Sequence, residues 1–263
     1  MYLTVDIGNS NIVVGVYSGS ELKQNWRMET DKNKSADEYG VILTHFFEHA
    51  GLDPADVEDV IISTVVPSMT YTMQHLSQKY FGVKAMLVSA DLDLGIQIKY
   101  DNPNQLGADR IVDAVAAYTD YPAPLIVMDF GTATTIDAVS SKGEYLGGAI
   151  VPGVKVASDA LFDKTAKLQK VELEAPGRTI CTNTIEGIQS GVIYGSMGMV
   201  EYLVRKMKAE ICAYEGEEKP VTVVATGGLS TLICADLDCV DHIDKQLTLT
   251  GLRILYERNK GRE

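Results

Sequence analysis

One pattern occurs twice in this chain, and it constrains the fold more than any other feature. YLTVDI, NIVVGVYS and ELKQNWRME, within residues 2–29, read as three strands. The small polar loop DIGNSN joins the first two, and a glycine turn at 18–20 joins the next two. LIVMDF, ATTIDAVS and EYLGGAIV, within residues 125–151, read the same way, with DFGTAT as the loop and a Lys-Gly turn. Placing Asp6 on Asp129 also places Gly8 on Gly131, Gly19 near Gly143 and a glutamate after each turn. The period is too long for a solenoid and predicts two similar α/β domains with a cleft between them. YPAP at 121–124 breaks helix and marks a linker. The domains are therefore expected over 1–122 and 123–263, the second ending in a helix that packs back.

Between the repeats the pattern alternates helix and strand. A helix is predicted over 36–50, with Ser35 as its N-cap, Glu38 three residues on and Gly51 as its stop. Its core face reads as Tyr39, Ile42, Phe46 and Ala50. VEDVIISTVV reads as a buried strand, MTYTMQHLSQKYF as a helix and VKAMLVS as a further strand. Ile111, Val115 and Tyr118 give helical spacing from Gly107 onward, and VTVVA at 221–225 is another apolar strand.

Composition narrows the partners. The net charge of −13 argues against a broad nucleic-acid or anionic-membrane surface, which needs clustered Lys and Arg. No run of about 18 apolar residues predicts a spanning helix. The first residues lack the basic-then-apolar order of a signal peptide. Cys181, Cys212, Cys234 and Cys239 have no CxxC spacing, which fits a reduced cytoplasm better than a disulfide framework or zinc site. A cytoplasmic location is expected.

A tight turn of small residues between strands exposes backbone N–H groups in a concave array suited to phosphate oxygens. Asn9, Ser10, Asn11, Thr132, Thr134 and Thr135 add side-chain donors without bulk. Each loop begins with an aspartate able to hold a cation that bridges phosphates. Either loop alone reads more readily as a plain hairpin turn; the pair, in matching places, reverses this and favours a nucleotide triphosphate gripped from both sides. ATGG at 225–228 ends a buried strand and is either a close-approach site for a flat adenosine or a simple strand-to-helix turn. GxxxxGK[ST] is absent, so a P-loop is not supported.

Two further patterns carry less. HFFEH at 45–49 matches a zinc-protease spacing, but no third ligand is evident and surface histidines are expected. Gly187, Gly191 and Gly195 with Gly198 form a small-residue stripe, expected to pack closely on its own sheet or on a second subunit.

The set DIGNSN, SADEYG, YDNPNQLGADR, DFGTATT, GEYLGGAIVPG, NTIEGIQSG and VATGGL resembles the type III pantothenate kinases, a branch of the actin, sugar-kinase and acetate-kinase superfamily. The likeness runs from residue 3 to about Asn259. It implies two tandem ribonuclease H-like, actin-like ATPase domains with a nucleotide cleft between them, and a homodimer. The implied reaction is ATP-dependent phosphorylation of pantothenate to 4'-phosphopantothenate, the first step of coenzyme A biosynthesis. By the resemblance, Asp6, Ile7, Gly8, Asn9, Ser10, Asn11, Ile12, Val13 and Thr132 bind ATP. Tyr100, Gly107, Ala108, Asp109, Arg110 and Thr184 hold pantothenate, and Asp109 is the general base. Asp129 binds a monovalent cation, K⁺ or NH₄⁺, and Mg²⁺ accompanies ATP. One departure stands at ICTNT, residues 180–184, where Cys181 and Thr182 replace an expected glycine and basic residue.

Phosphoryl transfer needs positioning, charge neutralisation and one group to orient the attacking hydroxyl. Asp109 and Arg110 side by side can take the hydroxyl and the carboxylate of a small hydroxy acid. Asp109 reads equally as a helix-dipole acid, and Arg110 as a solvated helix residue. The rival functions are a kinase or phosphatase for a sugar or polyphosphate, and a nucleotide-binding regulator or filament former. GADR discriminates, because a pure nucleotide switch has no need of an Asp-Arg pair.

Overall fold

A computed structural model describes residues 1–261; the last two residues of the expected second domain lie outside the described residues. In chain order the elements are β1 (Tyr2–Ile7), β2 (Asn11–Ser18), β3 (Glu21–Glu29), α1 (Ala36–Ala50), β4 (Asp59–Thr64), α2 (Pro67–Leu76), β5 (Met86–Leu87), β6 (Gln97–Ile98) and α3 (Ala108–Asp120). There follow β7 (Leu125–Phe130), β8 (Ala133–Val139), β9 (Glu144–Pro152), α4 (Val154–Lys164), α5 (Thr184–Glu215), β10 (Thr222–Thr226), α6 (Ser230–Cys234), β11 (His242–Ile243) and α7 (Leu247–Asn259). The chain forms two compact units that are not contiguous in sequence. One holds Met1–Gly95, Asp101–Ala116 and the chain from Thr248; the other holds Ile96–Tyr100 and Ala117–Leu247.

The first unit is built on a sheet of order β3-β2-β1-β4-β5. Strand alternation sends Leu3, Val5 and Ile7 to one face, where they pack with Tyr39, Leu43 and Phe47 of α1 and Met69 and Met73 of α2. On the other face lies α7. Tyr256 stacks on Tyr2 at 4.1 Å between ring centres and donates its hydroxyl proton to Asp59 Oδ2 at 2.6 Å. Thr248 Oγ1 donates to Asp113 Oδ1 at 2.7 Å, tying α7 to α3. The unit is thus three layers, helices on both faces of the sheet.

Helix α1 starts and stops where the sequence predicts. Glu38 N–H donates to Ser35 Oγ at 3.3 Å, Ser35 N–H donates to Glu38 Oε2 at 2.8 Å, and Gly51 closes the helix at φ 68°. Its core face is rotated from the expected one. Tyr39, Gly40, Leu43 and Phe47 are buried, while Ile42 and Phe46 are only half-buried, Phe46 stacking on Trp26 of β3. Two other expectations shorten. VKAMLVS pairs only over Met86–Leu87, at the sheet edge, and the second helix ends as a wide turn at Ser77–Phe81.

The second unit has the sheet order β11-β10-β7-β8-β9-β6. Ile126, Met128 and Phe130 of β7 pack against Ile188, Val192, Ile193 and Val200 of the long α5. The repeat is real in structure, with compensating differences. In the first hairpin Ile7 pairs with Ile12, enclosing four residues, and in the second Phe130 pairs with Thr134, enclosing three. The following turn reverses this: two residues separate Ser18 from Glu21, three separate Ser140 from Glu144. Register shifts fall at Val16/Tyr17 and Ala138/Val139, the same place in both repeats once the loop is counted.

Candidate functional site

In the first unit the DIGNSN loop is closed by its own backbone and by one residue from outside it. Gly8 N–H donates to the Asn11 carbonyl at 2.9 Å. Thr30, the first residue after β3, donates its N–H to the Ser10 carbonyl at 3.0 Å and its hydroxyl to the Gly8 carbonyl at 2.7 Å. Asn9, Ser10 and Asn11 are exposed, whereas Ile7 and Ile12 are fully buried in the core. Any ligand of this loop therefore meets Ile7 and Ile12 through backbone alone. Asp6 and Val13 are half-buried and paired across β1 and β2. Ser63 of β4 lies opposite Asp6 in the parallel ladder, and its Oγ is buried without a hydrogen-bond partner.

GADR sits at the start of α3 in the same unit. Gly107, Ala108 and Asp109 are half-buried, and Asp109 Oδ1 accepts from the Arg110 N–H at 2.8 Å. Arg110 is only 6% exposed. Of the two roles left open for it, the solvated one is excluded.

In the second unit, Gly153 occupies the place of Thr30: it is the first residue after the third strand, and its N–H donates to the Thr132 carbonyl at 3.1 Å. A Cβ there would stand 2.3 Å from that carbonyl oxygen and 2.5 Å from the carbonyl oxygen of Gly131. The shorter loop lies so close to the third strand that no side chain fits between them. Asp129 is approached in the same manner. Gly227 of ATGG, at φ +92°, would carry a Cβ 2.4 Å from Asp129 Oδ1, so only glycine is accommodated. ATGG is thereby more than a plain turn: it walls the Asp129 carboxylate with backbone. Thr132 is exposed, and Thr134 Oγ1 is buried without a partner.

Tyr100 and Thr184 also belong to this unit. Tyr100 is half-buried, its ring 6.2 Å and edge-on from that of Tyr145, whose hydroxyl donates to Asp137 Oδ1 at 2.7 Å. Thr184 is the exposed first residue of α5, behind the cap Asn183, whose side chain accepts from Glu186 N–H at 3.0 Å. At the departure ICTNT, Arg178 donates from Nη2 to Thr182 Oγ1 at 3.2 Å and lies 3.6 Å from Glu186. A guanidinium from upstream thus reaches the stretch that lacks its own basic residue.

The glycine stripe does not pack on its own sheet. A Cβ at Gly187, Gly191, Gly195 or Gly198 would meet nothing within 4 Å. The first three line a groove of about 640 Å³ with Ala157, Leu161, Leu168 and Met199. His45 and His49 are exposed, and among the described residues no cluster of three or more His, Cys, Asp or Glu could hold a metal. A hard ion held by one carboxylate, carbonyl oxygens and substrate phosphates needs no such cluster, and Asp129 between two glycine backbones fits it.

Thr30 and Gly153 escaped the sequence reading. Neither lies in a recognisable motif of its own, and only the strand registers bring them to the loops. Each follows the third strand of its repeat by one residue, which is the signal a register-aware reading would use.

The family model described as type III pantothenate kinase matches residues 2–206. Among solved structures, a protein described as a Baf family transcriptional activator from Campylobacter jejuni is 20% identical, with 98% of each chain covered and a TM-score of 0.60. One described as a 2-dehydro-3-deoxygalactonokinase from Sinorhizobium meliloti is 12% identical, with 100% of this chain and 98% of that chain covered and a TM-score of 0.54. MreB 5 of Spiroplasma citri bound to AMPPNP is 10% identical, with 97% and 96% covered and a TM-score of 0.52. At these identities the likeness is one of fold: the α/β fold shared by sugar kinases and actin-like ATPases. No helix among the described residues is long and apolar enough to cross a membrane.

Proposed function

The chain belongs to the type III pantothenate kinase family and is an ATP-dependent kinase, and on that premise we propose that it phosphorylates pantothenate to 4'-phosphopantothenate, opening coenzyme A biosynthesis. The observation that carries this reading is GADR: a half-buried carboxylate held by the amide of a buried arginine, at the start of α3. A nucleotide switch has no use for such a pair, and a neutral sugar offers no carboxylate to the guanidinium.

In this reading Asp109 accepts the proton of the primary hydroxyl as its oxygen bonds to the γ-phosphorus and the bond to ADP breaks. Arg110 takes the pantothenate carboxylate, and Tyr100, Gly107, Ala108 and Thr184 line the rest of that molecule. Residues 6–13 and Thr132 offer amides and hydroxyls to the ATP phosphates. Mg²⁺ on the nucleotide, and K⁺ or NH₄⁺ at Asp129, supply positive charge that the loops lack. We further assign the enzyme to the cytoplasm, as a homodimer joined along the open glycine stripe of α5.

A coupled assay of ADP release, run with pantothenate, other hydroxy acids and sugars, tests the reading. Turnover of a sugar with pantothenate untouched would overturn it. Asp109→Asn is expected to lower kcat by roughly 10²–10⁴ while nucleotide affinity stays near wild type. A variant that keeps most of its activity would reduce Asp109 to a helix-end acid.

A further inference from the structure

We propose that Thr30 is a positioning residue for the nucleotide, setting the direction in which the first loop presents its amides. The inference rests on the reading of residues 8–11 as phosphate-binding. Its basis is the geometry of the peptide unit. In a planar trans peptide the carbonyl and the following N–H point in opposite directions. Thr30 draws the Gly8 carbonyl to its hydroxyl at 2.7 Å, so the Asn9 N–H faces away from Thr30. It draws the Ser10 carbonyl to its own N–H at 3.0 Å, so the Asn11 N–H faces away as well. Carbonyl oxygens repel phosphate and amides attract it. One residue thereby withdraws two repelling dipoles and leaves the Asn9 and Asn11 amides on the side away from itself, the Asn11 amide on the side where its own carbonyl accepts from Gly8.

The clamp is itself held. Asp31 N–H donates to the Tyr39 hydroxyl oxygen at 2.8 Å, and that hydroxyl lies 3.0 Å from the Asp31 carbonyl. Tyr39 is fully buried in the core of the first unit. A buried side chain of α1 therefore fixes the backbone next to Thr30, which in turn fixes the loop. The second repeat supports the assignment independently. Gly153, at the matching position, binds the Thr132 carbonyl through its N–H, and the shorter loop leaves no space for a side chain. Where the loop is one residue longer, the threonine hydroxyl spans the added distance.

The test compares Thr30→Val, which keeps the shape and the N–H but loses the hydroxyl, with Thr30→Ser, which keeps the hydroxyl. Ser10→Glu serves as a direct loop control, because it adds charge without touching the carbonyls that Thr30 holds. Binding of a non-hydrolysable ATP analogue is followed by calorimetry beside steady-state kinetics. Thr30→Val is expected to weaken nucleotide binding and raise KM for ATP about five- to tenfold, the weight of one hydrogen bond. KM for pantothenate and kcat stay within about twofold, and Thr30→Ser restores ATP affinity. Normal affinity in Thr30→Val with loss in Ser10→Glu would overturn the inference alone. Equal loss for both substrates, with a lower Tm and no rescue by serine, would also overturn it and make Thr30 merely structural. Normal affinity in both variants would remove the loop reading together with the inference.

Discussion

The two loops of the repeat differ in how their carbonyls are held, and the difference shows how a duplicated element can diverge without losing its geometry. The first loop encloses four residues, is exposed at Asn9, Ser10 and Asn11, and is held by a side chain and a backbone amide of Thr30. The second encloses three and lies directly against Gly153, held by backbone alone. The residue lost from the second loop returns in its following turn, so both ends of the repeat still align without a gap. Length was exchanged between neighbouring turns while the strands kept their register. The first loop can tolerate change in its side chains; the second has no slack.

Glycine substitution puts that contrast to the largest test. Gly153→Ala forces a Cβ to within 2.3 Å of the Thr132 carbonyl oxygen, a backbone atom that cannot rotate away. The expected loss is about 2–3 kcal/mol, typical of overpacking against a fixed neighbour. Gly8→Ala places its Cβ 3.2 Å from the Asn11 carbonyl, a tight contact but one that a small shift relieves. Its loss should stay below about 1 kcal/mol. Urea unfolding of the two variants measures both, and equal losses would mean that the loops are equally tight.

The leading aspartates sharpen the comparison at the level of charge. Asp129 is walled by Gly131 and Gly227, whereas Asp6 lies between Val13 and the buried hydroxyl of Ser63. If Asp129 holds the monovalent cation, turnover requires K⁺ or NH₄⁺ and Na⁺ substitutes poorly. Asp129→Asn then loses at least about tenfold in rate together with that discrimination, because a hard ion depends on its charged oxygen ligand. Asp6→Asn should keep the preference for K⁺ whatever it does to the rate. Equal wild-type turnover in sodium-only and potassium-only buffers of matched ionic strength would end the cation reading.

Much of this was legible beforehand, for physical reasons that particular residues make plain. Asp6 and Asp129 announced the repeat because strand alternation and small polar loops leave a local signature. Ser35, Glu38 and Gly51 bounded α1 because capping is decided within four residues. The core face of α1 was read one position off, because Phe46 looks like core in sequence and in space covers Trp26 at the rim of the sheet. The burial of Arg110 could not be read, since a helix-start arginine has the same local context whether solvated or enclosed. Thr30 and Gly153 were invisible for a related reason. Their partners lie 20 or more residues away in sequence, and only strand pairing brings them together.

The turns after the second strands give the smallest expected effect and the one most specific to pH. The first turn is held by a neutral group: Tyr2 donates its hydroxyl proton to the Gly19 carbonyl at 2.9 Å. The longer second turn is held by a carboxylate. Glu215, at the end of α5 and with its side chain only 6% exposed, accepts from Ser141 N–H at 2.7 Å and from the Ser141 hydroxyl at 2.6 Å, with Lys219 3.5 Å away. The Ser141 hydrogen bonds, helped by Lys219, hold the Glu215 carboxyl below its ordinary value of 4.5. Its folded value is therefore lower than its unfolded value. Such a group contributes stability that is present above about pH 4.5 and lost as pH falls through the folded value. Glu215→Ala should cost about 1 kcal/mol near pH 7, the net of hydrogen bonds to a charged acceptor less what the serine regains from water. The gap from wild type should close as pH falls towards 3. Tyr2→Phe, which removes a hydroxyl that donates to the Gly19 carbonyl and lies 3.5 Å from Glu257 Oε1, should change less between the two pH values than Glu215→Ala, because its nearer acceptor is uncharged. The two variants are compared by urea unfolding at pH 7 and pH 3. A Glu215→Ala gap that persists unchanged at pH 3 would show that the second turn, like the first, is held without charge.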